Sequence, residues 1–508
     1  MAAIGRRIVM VAALSASVAS CGGGGGGDDT PTATTYADPV VYSTAAQASL
    51  PSAAELSVVT HHQLVIGGNT LAYTASVGHL TARSLVADVP EASFFYVAYT
   101  LDGAPVAQRP VTFFYNGGPG SSSAWLHLGS FGPMRLVTGD PSTAAPSPFP
   151  LVANAQSLLD VTDMVFVDAV GSGYSEAIAP NTNESFWSVD NDATVFRDFV
   201  IRYLAANTRQ GSPKFLFGES YGTTRSAVLA NLIESAGIEL RGVVLQSSIL
   251  NYNSNCAVLS GANCAGFLPS YAATGAWYGL DNPNPTPAEF NEFEDSVRTF
   301  ATTQYDPAIT ARQHGAPPST ALLTSLVNVT GLPLSAWQAQ FNMTPTTFSN
   351  TLIPGTVMGQ YDARVAVPQG SPFAHGDPSS NFINDGFASA ITSYLKSLNY
   401  TTPSTYVLLG NAINSWNFRH GGLPLPDTIP DLATAMTLNP QLKVLSLNGY
   451  HDLVTPFYVT ENDLARLASD NVTTRFYVGG HMTYLDDGSQ ALEKADLAAF
   501  YAGASGTH

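Results

Sequence analysis

A serine with glycine two positions before and two after, Gly218-Glu219-Ser220-Tyr221-Gly222, has the pattern of a sharp strand-to-helix turn that lifts a hydroxyl clear of its surroundings. The flanks agree. Lys214 to Phe217 reads as a strand, and the residues from Thr223 onward read as a helix. A serine hydroxyl is a weak nucleophile until a neighbouring base takes its proton. After such a turn the acid and then the histidine follow in chain order, each on a loop beyond a later strand. Asp452 qualifies in Asn448-Gly449-Tyr450-His451-Asp452, just past the strand-like run ending at Leu447. His481 qualifies in Gly479-Gly480-His481-Met482, just past the run ending at Val478. Asp486 and Asp487 come after the histidine and break the order, and His451 reads as a loop neighbour of the acid. Ser220, Asp452 and His481 together would carry out acyl transfer through a covalent intermediate.

Such chemistry needs donors for the negative oxygen that forms on the attacked carbonyl. The run Asn116-Gly117-Gly118-Pro119-Gly120-Ser121-Ser122-Ser123 follows a strand ending at Tyr115 and lacks the Gly-Lys-Ser/Thr ending of a phosphate-binding loop. A loop in that place donates one N–H, and the residue after the nucleophile donates the other. These are Gly118 and Tyr221.

The elements that must bring these residues together alternate. Ser93 to Tyr99 and Val111 to Tyr115 are rich in aromatic and β-branched residues, as strands are. Met164 to Val167 is a short buried-strand run, followed by Phe196, Phe199, Val200, Tyr203 and Leu204 at helical spacing. Val243 to Leu245, Val444 to Leu447 and Arg475 to Val478 are further strands. This rhythm predicts an α/β chain with a mostly parallel central sheet covered by helices on both faces. It is the α/β-hydrolase fold that the serine turn belongs to. Residues 251–402 break the rhythm, being Pro-rich and helical or irregular, and read as an inserted helical cap. The catalytic domain then comprises residues 51–250 and 403–508.

The N-terminus reads as an export signal. Arg6 and Arg7 precede the apolar run Ile8 to Ala19, which is too short to span a bilayer. Val18-Ala19-Ser20-Cys21 resembles the lipobox of bacterial lipoproteins, in which Cys21 would carry the lipid and residues 1–20 would be removed. The glycines that follow make residues 21–50 a flexible tether. These features predict a chain in the bacterial cell envelope that meets a membrane only through its lipid anchor. Export permits a disulfide between Cys256 and Cys264, the remaining cysteines. The net charge of −18, from 38 acidic and 20 basic residues, repels nucleic-acid backbones and excludes that partner class. The ten histidines lack ligand spacing, so neither metal nor organic cofactor is expected.

Taken together, Asn116 to Ser123, Gly218 to Gly222, and Val170-Gly171-Ser172-Gly173-Tyr174-Ser175 resemble the serine carboxypeptidases. Phe267 to Thr274 and Asp452-Leu453-Val454-Thr455-Pro456 are similar to the bacterial branch of that family, and the likeness runs from about Ala54 to Tyr501. The resemblance implies a peptide substrate with a free C-terminus, whose carboxylate is held by Asn116, the Gly117 N–H and Glu219. In that role Glu219 must carry a proton. Two departures are visible. Ser121 stands where eukaryotic members have a cysteine, and Leu128-Gly129-Ser130-Phe131 lacks their second glutamate. Trp277, Tyr278, Tyr361 and Trp416 are candidates to line the pockets beside the scissile bond, with ordinary core packing as the alternative. Two other functions use the same residues: an esterase or acyltransferase with the same triad, and an inactive surface-bound binding lipoprotein.

Overall fold

The computed structural model describes residues 35–52, 54–139 and 148–505. The signal run, Cys21 and the glycine stretch behind it lie outside the described residues. No described helix is long and apolar enough to cross a membrane.

Three long strands, β1 (Ser57–Ile66), β2 (Asn69–Arg83) and β3 (Pro90–Leu101), form an antiparallel meander at one side of a ten-stranded sheet. Short, fully buried strands follow: β4 (Val111–Tyr115), β5 (Asp163–Val167), β6 (Lys214–Glu219) and β7 (Gly242–Gln246). The last two are β8 (Lys443–Gly449) and β9 (Val472–Tyr477). The order across the sheet is β9-β8-β7-β6-β4-β5-β3-β2-β1, and Glu176–Ala177 adds a short tenth strand beside β3. From β9 to β5 every pairing is parallel. The continuous apolar runs of β4, β5 and β7 reflect burial on both faces.

Side chains alternate across the pleat. Phe114, Phe166, Phe217 and Val244 face one core, which includes Leu497 and Tyr501 of α7 (Asp487–Ser505) and Phe387 and Ile391 of α5 (Pro378–Ser397). Phe113, Val165, Leu216 and Val243 face the other. That second core holds α2 (Val189–Ala206), α3 (Tyr221–Ser235) and α6 (Ile429–Leu438). The spaced aromatics of the sequence, Phe196, Phe199 and Tyr203, are the inner face of α2, whose first turn is capped by Ser188.

Among the described residues, no strand of the large sheet falls in the chain between β7 and β8. That interval holds several helices, α4 (Leu268–Trp277) among them, and a hairpin pairing Thr356–Met358 with Ala366–Pro368. Phe267, Tyr271, Trp337 and Phe348 form a separate apolar cluster there, which takes in Leu453 from the loop after β8. Cys256 and Cys264 are joined by a disulfide at its edge.

Several boundaries differ from the sequence reading, most of them strands that run longer at their ends. The helix after the serine begins at Tyr221, because Ser220 itself takes the positive-φ turn (φ 60°, ψ −128°). The last strand spans Val472–Tyr477 and stops before the exposed Val478, just ahead of Gly479 at φ 149°.

Helices α2 and α3 are tied by a buried ion pair. Arg225 is fully enclosed, donates to both Asp192 oxygens (2.7 and 3.2 Å), and lies over the Phe196 ring at 4.3 Å. Its third contact, Nη1 to the Asn116 carbonyl at 2.8 Å, anchors the loop after β4. Replacing one partner of such a pair leaves the other charged and unpaired in the interior, which costs about 3–5 kcal/mol. Arg225→Met is therefore expected to lower unfolding free energy by that amount, measurable by urea denaturation against the parent chain.

Candidate active site

All parallel strands point the same way, so the loops leaving β4, β6, β8 and β9 emerge at one edge of the sheet. They carry Asn116 to Gly118, Ser220, Asp452 and His481 respectively. Ligand sites of open α/β sheets sit at this edge.

The serine turn is compressed. A side-chain carbon built at Gly218 would fall 2.2 Å from the Gly222 carbonyl and 2.4 Å from Ser226 Oγ, so only glycine fits. Ser220 sits in a conformation that a non-glycine residue holds only under constraint, at a typical cost of about 1–3 kcal/mol. Its N–H is fixed on the Gln246 carbonyl of β7 at 3.0 Å. The hydroxyl makes no capping bond to the helix and is partly open.

Asp452 is fully buried. Oδ1 accepts from the Val454 and Thr455 amides (2.8 and 3.0 Å), and Oδ2 accepts from the Thr455 hydroxyl (2.6 Å). Oδ2 also meets Nδ1 of His481 at 2.7 Å. That contact sets the tautomer: the proton sits on Nδ1 and the lone pair on Nε2. Nε2 is buried and has no hydrogen-bond partner among the described residues, so it can take a proton from a hydroxyl brought to it. Burial lowers the proton affinity of His481. The charge and hydrogen bond of Asp452, with the charges of Glu219 and Asp377, outweigh this and raise it above the ordinary value. The main chain around His481 is held from both sides, its N–H on the Tyr361 carbonyl (2.5 Å) and its carbonyl on the Ser247 hydroxyl (2.5 Å).

Gly117 lies against the start of α3, where an added side-chain carbon would come within 2.4 Å of the Tyr221 nitrogen. The Tyr221 N–H opens the helix and so lacks an intrahelical acceptor. Gly118 follows at φ 99°. The two amides assigned as anion donors thus belong to segments in contact beside Ser220.

Glu219 precedes the serine and is buried. Its Oε1 accepts from Asn116 Nδ2 at 2.7 Å and its Oε2 from the Tyr484 hydroxyl at 2.6 Å. Burial pushes its pKa up to about 7, against the opposing effects of His481, Tyr484 and Asn116. The amide oxygen of Asn116 accepts from the Leu126 N–H of α1 (Ala124–Gly129) at 3.1 Å, which orients the side chain.

The remaining aromatic candidates separate. Tyr361 meets His481 edge-on, with ring centres 5.0 Å apart. Trp416 packs on the Tyr221 ring at 5.1 Å. Tyr278 donates to the Ala363 and Arg364 carbonyls, and Trp277 packs on His451. Asp486 turns away from the histidine to Arg364 (3.0 Å), and Asp487 pairs with Arg135. Among the described residues, no group of three His, Cys, Asp or Glu residues is arranged to hold a metal ion.

Sequence reasoning missed three supports: Tyr484, Thr455 and the Arg225–Asp192 pair. A charged residue within the apolar run of α3 was a usable signal for Arg225. Nothing in the sequence linked Tyr484 to Glu219, since 265 residues separate them.

Residues 70–261 match the serine carboxypeptidase family. Serine carboxypeptidase-like 33 of Arabidopsis thaliana is 32% identical over 146 residues, which is 28% of this chain and 28% of that protein's own length. Among solved structures, a thermostable carboxyl esterase from Bacillus coagulans covers 84% of this chain and 99% of its own, at 14% identity and a TM-score of 0.38. The proline iminopeptidase of Mycobacterium smegmatis covers 88% and 99%, at 14% and 0.32. At such scores the strand order and the serine turn, rather than the superpositions, define the α/β-hydrolase fold.

A donor hydrogen bond favours the ionised form of a carboxyl group. Tyr484→Phe removes such a donor, so the Glu219 midpoint should rise above its present position near 7. Infrared difference spectra of the carboxyl stretch, with Glu219→Gln as the reference, measure this directly.

Proposed function

We propose that this chain, an α/β-hydrolase matching the serine carboxypeptidases over residues 70–261, removes residues from the free C-terminus of peptides. The observation that carries this reading is Glu219. A buried carboxyl group whose pKa is lifted to about 7 sits next to the serine and within electrostatic reach of His481. Simple ester cleavage has no use for such a group. A substrate carboxylate does: two ionised carboxylates about 4 Å apart repel by roughly 4 kcal/mol at an effective dielectric of 20. A protonated Glu219 instead donates a hydrogen bond. The second N–H of Asn116 Nδ2 and the Gly117 amide supply the other contacts.

In the reaction, Ser220 Oγ attacks the last peptide carbonyl while His481 Nε2 takes its proton. The Gly118 and Tyr221 amides bind the resulting oxyanion. His481 returns the proton to the departing amine, the C–N bond breaks, and an acyl-enzyme remains on Ser220. Water, deprotonated by the same imidazole, attacks the ester; the shortened peptide leaves and Ser220 regains its proton. Asp452, bonded to Nδ1, holds the imidazolium. Losing one oxyanion donor in such a site typically costs about 10²–10³ in rate. The lipid anchor at Cys21 would hold the enzyme in the cell envelope, a reading that rests on residues 6–31 of the sequence alone.

The test compares an N-blocked dipeptide bearing a free carboxylate with its C-terminal amide. We expect kcat/KM at least about 100-fold higher for the acid, on the scale by which sites built for hydrogen bonding discriminate. Equal turnover of both would remove the carboxylate clamp and leave the esterase or acyltransferase reading. Failure of Ser220 to react with a fluorophosphonate would leave only a binding protein.

The pH profile follows from two groups. His481 must be neutral to act as base, so activity falls as pH drops through its raised pKa. Glu219 must be protonated to hold the substrate, so KM rises as pH climbs through about 7. The expected result is a narrow bell. In Glu219→Gln the alkaline limb should vanish. The acid limb should also move to lower pH, because the anion that helps to raise His481 is gone. A profile unchanged by this substitution counts against the assignment.

A further inference from the structure

Tyr361 combines two properties that rarely meet in one side chain. Its ring packs edge-on against the His481 ring, with centres 5.0 Å apart, and burial raises the pKa of its phenol. Yet 37% of the residue's surface remains open. A side chain enclosed on most sides and bare on one is the wall of a cleft. Tyr115, Tyr221, Tyr252 and Tyr484, which surround the same loops, are all buried.

The main chain that carries the ring is fastened at several points. The Gln360 and Tyr361 amides both donate to Asp377 Oδ2, at 2.5 and 3.2 Å. The Gln360 carbonyl accepts from the Leu453 N–H (2.8 Å), and the Tyr361 carbonyl accepts from the His481 N–H. The Ala363 N–H donates to the His451 carbonyl at 3.0 Å. Arg364 then clamps the strap by pairing with Asp362 (2.8 Å) and Asp486 (3.0 Å). The segment is thus fastened to the loops carrying both Asp452 and His481.

Its position identifies what it touches. The amine of the departing residue must lie at His481, and its carboxylate at Glu219 and Asn116. Its side chain therefore occupies the space bounded by those groups, and Tyr361 meets His481 there edge-on. The segment bridged to the oxyanion loop, where Leu409 pairs with Ser121, also presents an exposed apolar residue, Leu409.

We propose that Tyr361 is the wall on which the side chain of the departing C-terminal residue packs, so that the enzyme selects peptides ending in an aromatic or large aliphatic residue. This rests on the carboxypeptidase reading. A neutral phenol face gains from apolar contact and offers no counter-charge, so C-terminal Lys, Arg, Asp and Glu should be poor substrates.

The experiment uses the mature chain and N-blocked dipeptides differing only in the last residue: Phe, Leu, Ala and Lys. The parent enzyme should favour Phe and Leu over Ala by roughly 10-fold or more in kcat/KM. Tyr361→Ala should collapse that ratio, with the loss on the Phe substrate appearing in KM. Tyr361→Phe should restore it, and Tyr361→Leu should shift preference from Phe toward Leu. The inference is overturned if Tyr361→Ala lowers kcat equally on all four substrates, since the ring would then act only by supporting His481. It is also overturned if the parent enzyme prefers Lys or shows no preference. Release of no C-terminal residue by a parent chain whose Ser220 still reacts with a fluorophosphonate would sink the carboxypeptidase reading, and this inference with it.

Discussion

In the proposed reaction, a carboxyl group and an imidazole lie buried within electrostatic reach of one another, and they need opposite protonation states. Glu219 has to hold a proton, and His481 has to be ready to accept one. Burial works in the required direction for both: it disfavours the carboxylate and it disfavours the imidazolium. Their mutual attraction works against both, since an ionised Glu219 beside a protonated His481 has the same proton count as the neutral pair. Such coupled sites titrate as a unit. The balance depends on excluding water from Glu219 while limiting the hydrogen bonds that would stabilise its charge. Asn116 and Tyr484 donate one bond each, and burial still prevails.

That balance sets the packing demands behind the site. Asn116 has to stay where one N–H meets Glu219, and it is held at its amide oxygen by Leu126 and at its main-chain carbonyl by Arg225. Arg225 is in turn neutralised by Asp192, which also accepts from the Tyr221 hydroxyl at 3.2 Å. A buried ion pair is an expensive device. Here it connects the loop after β4, the start of α3 and the first turns of α2, all of which lie beside or behind Ser220. The tight contact of Gly117 with the Tyr221 nitrogen leaves little room for these pieces to shift independently.

The segment between β7 and β8 is part of the same frame. Gln360 to Arg364 fasten to the loops after β8 and β9 through main-chain bonds, and Leu453 from the acid loop sits in the apolar cluster of that segment. Displacing the strap would therefore move Asp452 and His481. Glu294 and Asp281, two buried carboxyl groups in that segment with no hydrogen-bond partners among the described residues, are raised in pKa by burial.

The amino-acid sequence by itself determined the local chemistry: the serine turn, the glycine loop after β4, and the acid and histidine beyond later strands. Each is a short-range pattern, because the backbone of a compressed turn or a buried strand restricts the residues that can build it. Ser220, Asp452 and His481 can share one edge because β6, β8 and β9 run in the same direction, which the alternating apolar runs already disclosed. Tertiary structure alone decided which side chains meet across the sheet edge. Tyr484 reaches Glu219, Arg225 reaches Asn116, and Tyr361 covers His481 because of how α3, α7 and the helical segment pack. Packing of that kind depends on the summed shape of many contacts, and no spacing rule along the chain encodes it.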